Sequence, residues 1–270
     1  MKTIMRNLTG ATLVAAAALG MGRPQGAAQE ISLSDIRAQQ PPETIYASAP
    51  CQRARETPRG HILQRYAIDP KTFVQDLNTL MEKSDEVILA ATRDTAEVIS
   101  PSGESTATYD EVRVIRSWKG PHHAGDVLTF GRPGGLVNCK PFGSDDSYFE
   151  VMPGGNNLDD LFRGSFVYVL FLRHAQGDDA QLVQGLLPAA GEGVQGIFWV
   201  QVPYPIHPCC DAERYCADVL HGSVQHCDSL LETSKNPVMV PYALDPLAKR
   251  YRGMPFSDFL RTVQSVAAGQ

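Results

Sequence analysis

Short apolar segments follow one another between residues 84 and 202, and they restrict the fold more than any other part of the chain. Residues 165–173 (SFVYVLFLR) are apolar at successive positions, which is typical of a strand that is covered on both faces. Residues 109–118 (YDEVRVIRSW) instead alternate apolar and charged side chains, which is typical of a strand with one face in the core. The two patterns predict a β structure with a well-covered centre.

Four further segments have the composition of short strands, and they are residues 86–92, 126–130, 181–186 and 196–202. Six short strands with Gly-rich turns and little helix between them favour an antiparallel barrel or sandwich. The segment 131–164 is rich in Gly and Asp, and a loop of that length is predicted to be either functional or poorly ordered.

Helical spacing of apolar residues occurs on both sides of the strand-rich block. It predicts helices over residues 71–83, 213–221 and 223–233, and a final helix with the stripe Phe256, Phe259, Leu260 and Val263. Asp211 is a candidate cap, residues 237–246 read as a linker, and residues 29–70, rich in Pro, Gln and Arg, as an irregular arm. The predicted fold class is therefore α+β, mainly β with peripheral helices.

The first 28 residues have the organisation of a cleavable secretory signal peptide. Lys2 and Arg6 form a basic start, residues 13–19 are apolar, and small residues up to Ala28 provide a cleavage site. The apolar run is shorter than the roughly 20 residues that a membrane-spanning helix requires, and no later run reaches that length. We expect a secreted or periplasmic protein with no membrane span in the mature chain.

The charge of the chain restricts its partners. The formal net charge is −6, and the leader carries only basic charged residues, so its removal makes the chain more acidic. An acidic chain has no electrostatic attraction to nucleic acid or to anionic lipid. We expect a partner that is an extracytoplasmic protein or a glycan.

Several turns and strands of the block resemble a known family. The motifs are Trp118-Lys119-Gly120 at the end of a strand, the turn Pro133-Gly134-Gly135, the strand Tyr168–Leu172 after Gly164, and the turn Gly196–Phe198. Residues 84–202 thereby resemble the netrin-like (tissue-inhibitor-of-metalloproteinase-like) domains of bacterial secreted proteins. The resemblance implies an OB-like five-stranded antiparallel barrel. With the preceding helix the barrel would occupy residues 71–202, followed by a Cys-rich helical extension over 203–270.

The resemblance does not extend to the inhibitory mechanism of the eukaryotic members. Those inhibitors chelate a protease zinc with an N-terminal cysteine, whereas the first cysteine here is Cys51. Barrels of this kind carry many unrelated functions, so the function has to be argued from sites.

The cysteines offer two interpretations. The six residues are Cys51, Cys139, Cys209, Cys210, Cys216 and Cys227. An even number in an exported protein predicts disulfides, with 15 possible connectivities. Adjacent Cys209 and Cys210 should have different partners. We prefer one or two small loops within residues 209–227, plus a long-range bridge that holds Cys51 or Cys139.

The alternative is a metal site in the same C-terminal segment. His207, His221 and His226 lie among four of the cysteines, and tetrahedral zinc uses such ligands. The candidate ligands are His207, Cys209, Cys210, Cys216, His226 and Cys227. Their spacing matches no standard zinc or haem motif, so the disulfide interpretation is preferred, and no cofactor is predicted.

The remaining motifs carry little chemistry. Residues 191–196 match G-x-G-x-x-G, but a strand follows where dinucleotide binding requires a helix, so they read as a flexible hairpin loop. His122 and His123 are predicted to be solvated, and His174 to lie on the surface. No G-x-S-x-G or H-E-x-x-H motif occurs. The preferred hypothesis is a non-enzymatic exported binding or structural module, and the alternative is a metalloprotein or enzyme centred on residues 207–227.

Overall fold

The computed structural model describes residues 32–58, 60–66, 74–99, 106–139, 147–153, 166–174, 192–201, 224–235, 237–238 and 246–270. These residues form the helices α1 (Leu33–Gln39), α2 (Pro42–Ala47), α3 (Ala49–Glu56), α4 (Leu77–Lys83), α5 (Val224–Leu231), α6 (Pro246–Tyr251) and α7 (Phe256–Ala268). They also form the strands β1 (His61–Tyr66), β2 (Glu86–Ile99), β3 (Thr106–Lys119), β4 (Val127–Pro133), β5 (Gly135–Asn138), β6 (Tyr148–Pro153), β7 (Phe166–His174) and β8 (Glu192–Gln201). The predicted mixture of helices and strands is confirmed. The predicted signal peptide, the strand at 181–186 and the helix at 213–221 lie outside the described residues.

Five of the strands pair in the order β2-β3-β4-β8-β7, and β7 pairs back onto β2. The pairings are antiparallel except between β4 and β8, which run parallel and meet at only two residue pairs, Phe130 with Glu192 and Gly131 with Gly193. The prediction of a wholly antiparallel arrangement is therefore wrong at this one pairing, because β8 follows β7 and returns in the direction of β4. The other three strands form a separate sheet in the order β1-β6-β5.

Alternation along the strands divides the apolar side chains of the five-stranded arrangement into two clusters. One cluster is enclosed by the strands and consists of Ile88, Ala90, Val112, Val114, Leu128, Phe130, Tyr168, Leu170 and Leu172. The intervening residues of β7, Val167, Val169 and Phe171, are equally buried but point to the opposite side. The prediction that residues 165–173 are covered on both faces is confirmed for Val167–Leu172, whereas Arg173 is exposed.

Helices cover the other side of β2 and β7. The cluster there contains twenty buried residues, drawn from α4, α5, α6 and α7 as well as from the strands. The stripe predicted for the final helix is confirmed, since Phe256, Phe259, Leu260 and Val263 all belong to this cluster. We call α4–α7 and their shared cluster the C-terminal layer, although α4 precedes the strands in the chain.

The prediction of an irregular arm over residues 29–70 is wrong for residues 33–66. Three helices and a strand occupy most of that range. Helix α1 begins with a capping box in which Ser32 accepts a hydrogen bond from the Asp35 backbone, and α2 and α3 carry proline in their first turns, where it is tolerated. These helices have 6–8 residues, too few for a clear apolar period.

Several predicted boundaries also differ from the structure. Helix α4 begins at Leu77 because the carboxylate of Asp76 accepts a hydrogen bond from the Thr79 backbone, so the helix does not extend back to residue 74. The residues Glu192–Gly196, predicted as a hairpin loop, lie within β8. The predicted loop at 131–164 contains the end of β4 and both β5 and β6, because its turn residues separate short strands.

Candidate functional sites

A buried disulfide links Cys51 on α3 to Cys139, the residue after β5. The Cα atoms are 4.9 Å apart, within the ordinary range for a disulfide. Around the bond lie Ala54, Ile99, Val137 and Phe149, with Ile62 packed against them. Two cysteines whose pairing the sequence left open are therefore joined to each other, and the bond fixes α3 to the sheet β1-β6-β5.

The sheet β1-β6-β5 buries one face against the disulfide and presents the other to solvent. Residues in register lie on the same face, and Leu63 and Leu136 are both in register with position 150 of β6. They therefore share one side of the sheet with the registered pair His61–Tyr148, two residues along β1 and β6. The rings of His61 and Tyr148 meet edge to face, with centroids 6.5 Å apart. We call the surface formed by His61, Leu63, Leu136 and Tyr148 the outer sheet face.

The outer sheet face exposes two aliphatic side chains in one row. Leu63 is 41% exposed and Leu136 is 37% exposed, and both lie opposite Glu150 of the central strand β6. Among the described residues the third exposed large apolar side chain is Tyr46, over which the guanidinium of Arg55 lies at 3.8 Å. The apolar contact that this chain offers to a partner, within its described part, is therefore concentrated on the outer sheet face.

A second candidate site lies where β2 begins and β3 ends. The side chain of Glu86 is fully buried, and Nδ1 of His122 lies 2.7 and 2.8 Å from its two carboxylate oxygens. Gly120 allows this approach: its φ is +106°, and a Cβ there would lie 2.7 Å from Cγ of Glu86. The prediction of solvation is therefore wrong for His122, which is 15% exposed, whereas His123 is 86% exposed.

A carboxylate that holds the Nδ1 proton orients an imidazole, and enzymes and metal sites use this pair. Lys119 directly precedes the same turn, and its Nζ donates a hydrogen bond to the carbonyl of Met81 at 2.9 Å. The described residues contain no group of three or more His, Cys, Asp or Glu that could hold a metal ion. The contacts of Glu86 and His122 are those that anchor a turn to a strand. The two residues are too far apart in the sequence for a spacing pattern to reveal the contact.

A surface cleft of about 460 Å³ lies between α1, α2 and the end of β2. Its lining residues are Gln40, Glu43, Thr44, Ile45, Ala47, Ser48 and Ile99. Two of its polar side chains are engaged within the fold, since Gln40 bonds to the backbone of Ile99 and Ser48 donates to the carbonyl of Ile45. The cleft is therefore a weaker binding candidate than the outer sheet face.

The structure describes only part of the predicted Cys/His cluster. Cys227 is buried on α5 within the C-terminal layer. His226 lies on the same helix, but its side chain is outside the described set, as are His207, Cys209, Cys210, Cys216 and His221. The metal and disulfide interpretations of these residues both stay predictions.

Polar contacts attach α5 to the strands. Nη2 of Arg116 on β3 lies 2.7 Å from Oδ1 of Asp228 and 2.6 Å from Oε1 of Glu232. Burial raises the pKa of Asp228, and the hydrogen bond and charge of Arg116 oppose that rise. This group joins two elements and is not a candidate for catalysis.

Among the described residues no helix is long and apolar enough to cross a membrane. Comparisons with family models, with curated proteins and with solved structures found no match to this chain. The resemblance to netrin-like domains therefore stays a prediction, and the function rests on the sites described above.

Proposed function

We propose that this chain is an exported, non-enzymatic binding module in which an OB-like barrel carries a disulfide-linked sheet that docks a partner protein. The exposed row of Leu63 and Leu136 on the outer sheet face is the observation that carries the proposal. Export is supported by the signal-peptide pattern of residues 1–28 and by the Cys51–Cys139 bond, since disulfides persist in oxidising compartments.

The strand pairings support an OB-like barrel. An OB fold is a partly open Greek-key barrel of five strands. Here five strands pair in the order β2-β3-β4-β8-β7, and the fourth, β7, returns beside the first. The short contact between β4 and β8, which pair at only two positions, is consistent with a barrel that is partly open at this point. Nine of the described side chains already lie buried in the enclosed space, so the binding surface is sought outside it.

The chemistry of the outer sheet face favours a protein partner over a glycan. The large apolar side chains exposed on this face, Leu63 and Leu136, are aliphatic, and aliphatic side chains gain chiefly from burial against other apolar groups, which a protein partner supplies. Three strands about 4.8 Å apart make a face much smaller than the roughly 800 Å² that each partner buries in a stable complex. We therefore expect a transient contact, or one that neighbouring surfaces extend.

Arginine substitutions on the outer sheet face test the docking proposal. Leu63→Arg/Leu136→Arg places two charges in the contact without touching the core, and Gln225→Arg on the exposed side of α5 is the matched control. Each protein is immobilised with its disulfide intact and exposed to extracytoplasmic extract. A polypeptide retained by the wild type and the control but lost by the double variant supports the proposal. Equal retention by all three, or retention of glycan alone, contradicts it.

Thiol state and metal content test the non-enzymatic part of the proposal. Mass spectrometry of exported protein, with and without alkylation, is expected to find the chain beginning near Gln29, all six cysteines oxidised and no bound metal. Stoichiometric metal with alkylatable thiols would instead support the site at His207–Cys227, and an intact Met1 on exported protein would exclude a cleaved signal peptide.

A further inference from the structure

Two strands of the described chain have an edge that does not pair with another described strand. One is the second half of β2, because β7 pairs with β2 only over Glu86–Ala91. The other is β1, the outermost strand of the sheet β1-β6-β5. Open strand edges invite pairing with other chains, and proteins usually cover or block them. The two edges can therefore be compared within one molecule.

Side chains cover the edge of β2. Nε2 of Gln40 donates to the Ile99 carbonyl at 2.5 Å, and its Oε1 accepts from the Ile99 amide at 2.8 Å. Four residues earlier on the strand, Nη2 of Arg37 donates to the Thr95 carbonyl at 2.7 Å. A neighbouring strand would make bonds of this kind, so these edge positions are already occupied.

The backbone of β1 is directed differently. The Tyr148 amide of β6 donates to the Gly60 carbonyl at 2.7 Å, and Tyr148 is in register with His61. In a parallel ladder with this register the even-numbered residues of β1 bond to β6. The backbone groups at positions 61, 63 and 65 therefore point to the opposite edge. Among the described residues, only β6 pairs with β1.

Strand β1 lacks most of the features that protect an edge strand. Its six register pairs with β6 are consecutive, so it has no bulge, and its sequence contains no proline. Its one charged residue, Arg65, comes late in the strand, whereas the exposed Leu63 lies near the centre. Leu63 also belongs to the outer sheet face, in one row with Leu136. A strand added at this edge would extend that row.

We propose that the partner of the outer sheet face is an extended polypeptide segment that pairs with β1 as a fourth strand of the sheet. This inference rests on the docking function proposed above and names how the partner binds. Main-chain hydrogen bonds to positions 61, 63 and 65 would supply affinity that the small apolar face lacks. Recognition requires an apolar residue about 4.8 Å from Leu63, where it continues the row that begins at Leu136.

Peptides provide the first test. A displayed library of random peptides of about seven residues, enough to cover β1, is selected on the protein with its disulfide intact. Each selected peptide is then made in two forms, with N-methyl groups on either the odd or the even residues. In an added strand alternate amides face β1, so one form should bind at least about tenfold more weakly than the parent and the other should bind like it. Two forms that bind alike, or a selection that yields no peptide, overturn the strand pairing.

Two variants at one position separate the edge from the face. Leu63→Ala removes most of the side chain and keeps the amide, whereas Leu63→Pro also removes the amide and places a ring on the edge. The selected peptides should bind Leu63→Pro about tenfold more weakly than Leu63→Ala. Equal binding to both, with loss of binding in Leu63→Arg/Leu136→Arg, overturns the pairing and leaves the docking proposal standing. Unchanged binding in all three variants contradicts both proposals.

Two further measurements keep the outcome clear. Slow exchange of the Tyr148 amide, which bonds to the Gly60 carbonyl, shows that β1 remains in place in Leu63→Pro. If that protection is lost, the comparison of the two N-methylated forms decides. Sedimentation velocity examines a second copy as the occupant. A wild-type dimer that Leu63→Pro dissociates would overturn the assignment to a partner segment.

Discussion

Two regions pack around the five-stranded arrangement, and they are held in different ways. Among the described residues, the C-terminal layer shares a cluster of twenty buried residues with the strands. Counted in the same way, the N-terminal unit, formed by α2, α3 and the sheet β1-β6-β5, shares a cluster of six, two of which are the cysteines of the disulfide. A small core contributes little free energy of folding, so a covalent link is most effective there. The contrast indicates that the disulfide substitutes for apolar burial.

Both regions pack against the five strands. We therefore expect the largest loss of stability from a charge placed in the cluster that the strands enclose. Leu170 is fully buried there, and Leu170→Asp places an unpaired carboxylate that costs several kcal/mol. We expect no folded protein, as judged by circular dichroism and by the absence of a cooperative thermal transition. A soluble, cooperatively melting Leu170→Asp protein would contradict the assignment of β7 to the interior.

The C-terminal layer should respond to loss of one aromatic ring. Phe259 is fully buried, and its ring centroid lies 5.2 Å from that of Tyr251. Phe259→Ala should lower the free energy of unfolding by about 3–5 kcal/mol through lost burial and the cavity left behind. Denaturant unfolding measures this, with Phe259→Leu as the milder control. Equal effects of the two substitutions would show that the layer is loosely packed.

Removing the disulfide should affect the N-terminal unit more than the rest. Cys51→Ala/Cys139→Ala is expected to cost about 2–4 kcal/mol, because the bond restricts a long loop of the unfolded chain. The contrast above predicts that β1, β5 and β6 then exchange their amide hydrogens faster while α7 stays protected. Hydrogen exchange followed by mass spectrometry resolves the two regions. A uniform increase across both would show that the bond stabilises the whole chain and not the small core.

The smallest effect is expected at Asp76, the part-buried cap of α4. Hydrogen bonds from the backbone and hydroxyl of Thr79 hold the pKa of Asp76 below its ordinary value of 3.8. A lowered pKa in the folded state stabilises the protein above pH 3.8, and this contribution is lost as the pH falls through the folded-state pKa. The Tm difference between wild type and Asp76→Asn should therefore be small at neutral pH and shrink in acid. A difference that grows in acid would show that folding does not lower the pKa of Asp76.

The sequence predicted those parts of the fold that depend on local periodicity. Strand β7 is apolar on both faces and α7 has an apolar stripe, and in each case a few neighbouring residues are enough to predict which side chains are buried. Strand β1 carries no such signal, because it becomes a strand by pairing with β6, more than eighty residues later. Helix α5 is also hard to judge from its own sequence. Its apolar side chains pack into a core that other elements supply, so the number of apolar residues in the helix alone underestimates its stability in the fold.

The candidate sites were less predictable for the same reason. The partners Cys51 and Cys139 are separated by 88 residues and represent one pair among many possible ones. Glu86 reads in the sequence as the first residue of a strand, and His122 as a turn residue. The one local indication was Gly120, a glycine in a Lys-Gly-Pro turn, whose backbone conformation and lack of a side chain permit the contact with Glu86.

The link between Cys51 and Cys139 also has a mechanical consequence. A chain pulled from its two ends transmits the load across this bond, so the segment between the two cysteines, which are 88 positions apart, is not extended. Fully stretched, that segment would add on the order of 300 Å to the contour length. Strands β2, β3 and β4 lie inside it and would bear no tension while the bond is intact. Under tensile load the oxidised protein should therefore yield first outside this loop, and reduction should release the hidden length.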